Sequence, residues 1–261
     1  MAAPAVSASS VADRRQALLI VCVLALSALC WLALAVWGHS PWVHYAHALG
    51  HQGHHLEAHS PLAVFAFFVA GWTLMTAAMM LPTTVQLLAL FQRVVRGRSD
   101  ATLLVALVVG GYLAIWLGFG IAARLGIEGI YRAIASMPRL GSSMQVLAIG
   151  TLALAGIYQF TPLKYRCLDR CRSPFSFIVE HWRGRDERRH AFMLGVHNGL
   201  FCIGCCWTLM VLMFPLGAGN MAWMLALGIA MAVEKNLRWG RRFAKPLGVA
   251  LLIAAVVFAA Q

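Results

Sequence analysis

Residues 17–37, ALLIVCVLALSALCWLALAVW, contain no charged side chain. A run of this length and composition matches the roughly 20 apolar residues that a helix needs to cross about 30 Å of hydrocarbon. Six more apolar runs follow, at about 61–91, 101–124, 144–160, 191–216, 221–235 and 247–260. With 61% hydrophobic and 11% charged residues, the chain lacks the polar surface of a soluble domain. The fold expected is all-α, a polytopic transmembrane bundle of about seven helices.

Charge then orients the bundle. All 21 Lys and Arg residues except Arg124, Arg132 and Arg139 fall in alternate inter-helix segments, which the positive-inside rule assigns to the cytoplasm. This gives a cytoplasmic N-terminal tail, 1–16, and one helical domain, 17–260. The domain carries an outer loop at 39–60 and a basic cytoplasmic loop at 161–190. The net charge of +12 is therefore read as topology, and nucleic acid is not expected as a partner. The first run is too long for a signal-peptide core and is read as a retained helix. Multi-pass residence in a bacterial inner membrane follows, with membrane lipid as the surroundings. Pro82 predicts a kink in the second helix. IEGIYRAIASMPRL, 127–140, is expected to lie along the outer membrane surface.

The outer loop holds seven of the ten histidines. On a helix, His47, His51, His55 and His59 share a face, the placement by which imidazoles share Cu²⁺, Zn²⁺ or Ni²⁺. The loop is also readable as a polar spacer that titrates near pH 6.5.

Sulfur is the second signal. The fifth run contains FCIGCC, where Cys202 is one helical turn from both Cys205 and Cys206. Lipid gives thiols no reason to cluster, so they either pack as small apolar residues or face a soft ion. Beyond the fourth run, Cys167 and Cys171 lie one turn apart among Lys164, Arg166, Arg170 and Arg172, cations that favour thiolate. Met75, Met79 and Met80 precede Pro82, and thioethers suit copper(I). Met79, with Met75, is expected to face Cys202 from the second helix. Cys167 and Cys171 join only if their segment dips inward. Glu234-Lys235 ends the sixth run as either a functional pair or a cap.

AMMLP at 78–82, YQFTPLKYRCLDRC, GLFCIGCCWTLM and Glu234-Lys235 occur in this order. Over about residues 61–240 the chain resembles the bacterial family of predicted metal-binding integral membrane proteins, a domain of unknown function. The resemblance carries over Met79, Met80, Pro82, Gln159, Lys164, Cys167, Cys171, Cys202, Cys205, Cys206, Glu234 and Lys235 as positions of interest.

The function expected is binding or delivery of a soft transition metal, copper first and zinc second, with a metal-donor or metal-acceptor protein as partner. The alternatives are a membrane thiol–disulfide oxidoreductase and a structural or assembly subunit. Hydrolase, P-loop and dinucleotide motifs are absent, so ATP-driven pumping by this chain alone is not expected; no catalytic residue is assigned, and the oxidoreductase alternative leaves enzyme activity open.

Overall fold

A computed structural model describes residues 5–38, 61–136, 143–182, 186–215 and 220–260, and these are helical almost throughout. The elements are α1 (Ala5–Gly38), α2 (Pro61–Met80), a 3-10 turn (Leu81–Thr84) and α3 (Val85–Val94). They continue as α4 (Ala101–Ala135), α5 (Ser143–Tyr158), α6 (Pro162–Cys171) and α7 (Pro174–His181). The last three are α8 (Glu187–Val211), α9 (Met221–Asn236) and α10 (Gly240–Ala259). Among the described residues, five spans are long and apolar enough to cross a membrane, or six if the bent α5–α6 pair is one span. The run at 221–235 forms α9, only 16 residues long. The chain is thus an all-α bundle with the character of a multi-pass membrane protein.

Two expectations need correction. Residues 127–135 do not form a separate surface helix but extend α4 to 35 residues, about 52 Å at 1.5 Å per residue. Much of the segment 161–190 is not loop, because it folds into α6 and α7. Prolines explain the ends: Pro162 and Pro174 each occupy a first helical position, where the missing N–H costs nothing.

Pro82 acts through the same missing donor. Its N–H would have reached the carbonyl of Ala78, four residues back. The Ser27 hydroxyl of α1 donates to that carbonyl instead, at 2.7 Å. Thr83 and Thr84 donate to the carbonyls of Met80 and Leu81, each at 2.7 Å. The expected kink is a 3-10 turn whose freed backbone groups are satisfied by neighbouring side chains, as a low-dielectric setting demands.

α4 and α8 form the tightest seam. A Cβ on Gly195 would lie 2.0 Å from the Val108 carbonyl oxygen, and one on Gly111 would lie 2.1 Å from that of Phe192. Gly199, one turn on, faces Ile115. Gly195-xxx-Gly199 is therefore a small-residue helix contact. It brings Tyr112 of α4 against Cys202 of α8.

The basic segments gather at one end. Arg93 donates to Gln16 at 2.7 Å, Arg98 pairs with Asp100 and Glu187, and Arg241 pairs with Asp169. The hydrogen bond from Arg98 holds the Asp100 carboxyl below its ordinary range. On the far side of the bundle Trp72, Phe68 and Phe214 stack, with Trp72–Phe214 centroids 5.6 Å apart. Trp116 and Phe119 of α4 extend this aromatic layer.

Gly195→Ala is expected to lower stability in detergent by about 1–3 kcal/mol or more through overpacking. Gly110→Ala, where a Cβ meets nothing within 4 Å, should be neutral or raise it by up to about 1 kcal/mol. Thermal unfolding of the two variants checks this difference in sign.

Candidate metal centre

The site forms where α2, α4, α6, α8 and α9 converge. Cys202, Cys205 and Cys206 are all buried on the inward face of α8. The Cys205 and Cys206 thiols both donate to the Cys202 carbonyl at 3.0 Å. That local bonding turns them back along their own helix.

The centre of the cluster is held by a cation that belongs to the protein. Lys235, 7% exposed, reaches from the end of α9 into the sulfur layer. Its ammonium donates to Cys202 Sγ at 2.8 Å, Met80 Sδ at 3.4 Å and Cys206 Sγ at 3.6 Å. All three of its donor directions thus end on sulfur. The Tyr112 hydroxyl lies 3.0 Å from Cys202 Sγ, a pair in which either atom is able to donate, and 3.4 Å from the Met80 carbonyl.

Met80 is the methionine of α2 that enters this layer, with Cys206 Sγ at 4.0 Å from its sulfur. The place expected of Met79 is therefore taken by its neighbour. Met79 packs towards Gly228 of α9, and Met75 lies in the apolar core. Adjacent residues on a helix point about 100° apart, so only one of the two methionines faces the thiols.

The α6 pair does dip inward. A 69° bend between α5 and α6 turns α6 under the bundle. Cys171 packs against the core that holds Cys202, Cys205 and Cys206, and it lines one cavity with Cys202 and Lys235. Cys167 sits over Gly204, where a Cβ would come within 2.5 Å of its sulfur. The glycine in CIGCC is the gap that admits it. Tyr158 clamps the same spot by donating to the Gly204 carbonyl.

Beside the sulfurs lies a buried ion pair. Lys164 Nζ donates to both Glu234 oxygens, at 2.9 and 2.7 Å, and both side chains are at most 2% exposed. Arg172 donates to the Glu234 carbonyl at 2.6 Å, tying α6 to the end of α9. Gln159 is buried in the α5–α6 break, and neither of its amide atoms has a partner among the described residues. A cavity of about 20 Å³ adjoins the centre, with Cys171, Cys202 and Lys235 at its inner wall. Thr83, Thr84, Asn198 and Gln86 form the rest of its polar lining, and Gln86 alone of its walls is exposed. That is room for about one water or one ion.

Among the described residues, no three Cys, His, Asp or Glu side chains are grouped so as to hold a metal as they stand. The reason is local. Two thiols face a backbone carbonyl, and an ammonium fills the centre. The donor chemistry still suits a soft ion, since four thiols and a thioether lie within one layer. His47, His51, His55 and His59 fall outside the described residues.

Tyr112 carries no recognisable sequence signal, whereas Asn198 does, as an amide one helical turn before Cys202. Gly195 and Gly199 did carry one, the small-xxx-small spacing.

Fold and site together define a multi-helix membrane-type protein with a buried, sulfur-lined cation site. Residues 69–258 match the family model described as PpoB2, copper chaperone. This covers most of the chain, which belongs to that family. The match brings in copper, and it does not extend to the predicted metal-binding family that the sequence resembles. No curated protein and no solved structure matches the chain.

Glu234→Gln leaves the Lys164 ammonium buried without an anion. It is expected to cost about 3–5 kcal/mol. Lys164→Met combined with Glu234→Leu should recover most of that loss. Thermal melts of the single and double variants provide the measurement.

Proposed function

We propose that the protein is a copper(I) chaperone of the bacterial inner membrane, with copper as cargo rather than cofactor. The N-terminus lies inside, as the Lys/Arg bias indicates. The carrying observation is the sulfur cage around Lys235: a cation is already held by Cys202, Cys206 and Met80. Copper(I) takes the same soft donors in a dry setting, in two- to three-sulfur coordination. Cys205, by rotating off its hydrogen bond to the Cys202 carbonyl, and the neighbouring Cys171 supply further sulfurs, each releasing its proton to solvent as it takes the ion. Lys235 withdraws when the ion enters and returns when it leaves.

Exchange takes place at the basic end. The polar cavity behind Cys202 is walled by exposed Gln86 on that side. The aromatic layer of Phe68, Trp72, Trp116 and Phe214 separates the sulfurs from the end of α2 nearest the histidine-rich segment. The donor or acceptor protein therefore meets the chain at its arginine-rich face. His47, His51, His55 and His59 act separately, as a weak divalent site.

Competition with a chromophoric Cu(I) chelator tests the site. Cys202→Ser should weaken Cu(I) binding by at least about 100-fold, the upper end for losing even an outer partner of a metal site. Met80→Leu should weaken it more than Met79→Leu. Lys235→Met should bind Cu(I) about tenfold tighter and release it more slowly, because a competing cation is gone. Unchanged copper content in Cys202→Ser, with folding retained, would leave the thiols as packing residues. Disulfide formation on mild oxidation, with no copper bound, would instead support thiol exchange.

Sidedness is tested in oriented membrane vesicles. Cu(I) loading is expected with the cytoplasmic face outward and should slow several-fold in Gln86→Trp. Faster loading from the opposite face would overturn the assignment of the exchange end.

A further inference from the structure

At the basic end, away from the sulfur layer, a groove of about 710 Å³ runs between α1, α3 and α4. This is the size of a ligand site rather than a packing defect. Its two halves differ in chemistry. One is lined by Arg15, Arg93, Arg96 and Arg98, and the other by apolar side chains that include Leu18, Val23 and Val105.

The arginines sit where three candidate spans end. One span begins at Arg14, a second ends at Val94, and a third begins at Ala101. The guanidinium cluster therefore lies at the edge of the apolar layer, and the hydrophobic half runs into it. A bilayer lipid is arranged the same way, with charge at this level and hydrocarbon beneath.

The charge in the groove is not neutralised internally. Arg98 is taken by Asp100 and Glu187, and Arg93 is oriented by its bond to Gln16. Gln92 donates to the Arg15 carbonyl at 3.4 Å, which fixes α1 against α3. Arg15 and Arg96 have no ion pair among the described residues, and both face the groove. Guanidinium groups match phosphate oxygens in geometry and charge.

We infer that this groove binds one anionic phospholipid. Its phosphate lies between Arg15, Arg93 and Arg96, and an acyl chain runs along Leu18 and Val23 of α1 and Val105 of α4. The lipid joins α1, which packs loosely with most of its apolar face exposed, to the α3–α4 corner. This site is independent of copper and of the sulfur cluster.

Cys22 provides a reporter, since it lines the groove and is the exposed one among the seven free cysteines. The full-length protein would be placed in nanodiscs of phosphatidylcholine, with or without phosphatidylglycerol, and the rate of Cys22 alkylation by a maleimide measured. Phosphatidylglycerol is expected to slow labelling at least threefold and saturably, whereas inorganic phosphate in solution has no effect. In Arg15→Gln/Arg96→Gln the two lipids should label alike, while Arg15→Lys/Arg96→Lys keeps part of the protection. Circular dichroism and Cu(I) content unchanged from wild type would show the variants folded. Equal labelling in both lipids with the wild-type protein would overturn the inference, as would full protection in the glutamine variant or protection by inorganic phosphate.

Discussion

The ammonium of Lys235 has to be answered inside the bundle. Burying a cation without compensation costs several kcal/mol. The carboxylate of its chain neighbour, Glu234, is already bound through both oxygens by Lys164. What remains for Lys235 is sulfur, at Cys202, Met80 and Cys206, with the Tyr112 hydroxyl beyond Cys202. Neighbouring residues on α9 thus take different roles. Glu234 neutralises α6 and anchors it, and Lys235 organises thiols on α8 with a thioether on α2. Removing Glu234 alone would leave the Lys164 ammonium as a second uncompensated cation beside the same sulfurs.

That convergence requires helices to be interrupted at depth. Regular α-helix ends at Met80, two residues before Pro82, and Pro162 starts α6 across a 69° bend. Broken helices are tolerated inside a bundle when their freed backbone groups find partners or line a cavity. Both conditions hold here. Ser27, Thr83 and Thr84 occupy the carbonyls near Pro82, and a small polar cavity opens beside them. The glycines complement the prolines. Gly195 and Gly199 bring Tyr112 to Cys202, and Gly204 makes space for Cys167. Interruption and close approach together allow five helices to present side chains to one point.

Much of this was legible in the sequence. The apolar runs gave the all-α class, and the spacing of Cys202, Cys205 and Cys206 placed them on one helix face. What sequence could not supply was rotation and bend. Periodicity says that Met79 and Met80 point in different directions, but it does not say which one faces α8. The inward turn of α6 depends on the α5–α6 bend, and without it Cys171 would be read as a surface thiol. The break in the second run was visible at Pro82, but the donor from Ser27, 51 residues away, was not. Positions 127–135 misled because alternating polarity at helical spacing suits a surface helix as well as the last turns of a long one. α4 is the latter, and the Arg124–Glu128–Arg132 ion pairs stabilise that end.

A chaperone, as distinct from a storage site, has to give its ion away. A dry cage of three thiolates, fixed and open, would hold copper(I) too firmly for ready transfer. The arrangement around Lys235 opposes that in two ways on the proposed reading. Cys205 and Cys206 have a competing acceptor in the Cys202 carbonyl, so each sulfur given to metal forfeits a hydrogen bond. The ammonium competes for the same donors and remains nearby when displaced. At an effective dielectric of about 20, two unit charges 4 Å apart repel by about 4 kcal/mol. Part of that repulsion is lost as Lys235 swings away, but what remains lowers the affinity. As the ion departs, the lysine re-enters and the thiols regain their positive neighbour, so the empty cage does not collapse. Binding strength is then set by competition between two cations for one set of sulfurs, and release requires only that an acceptor outbid the protein's own lysine.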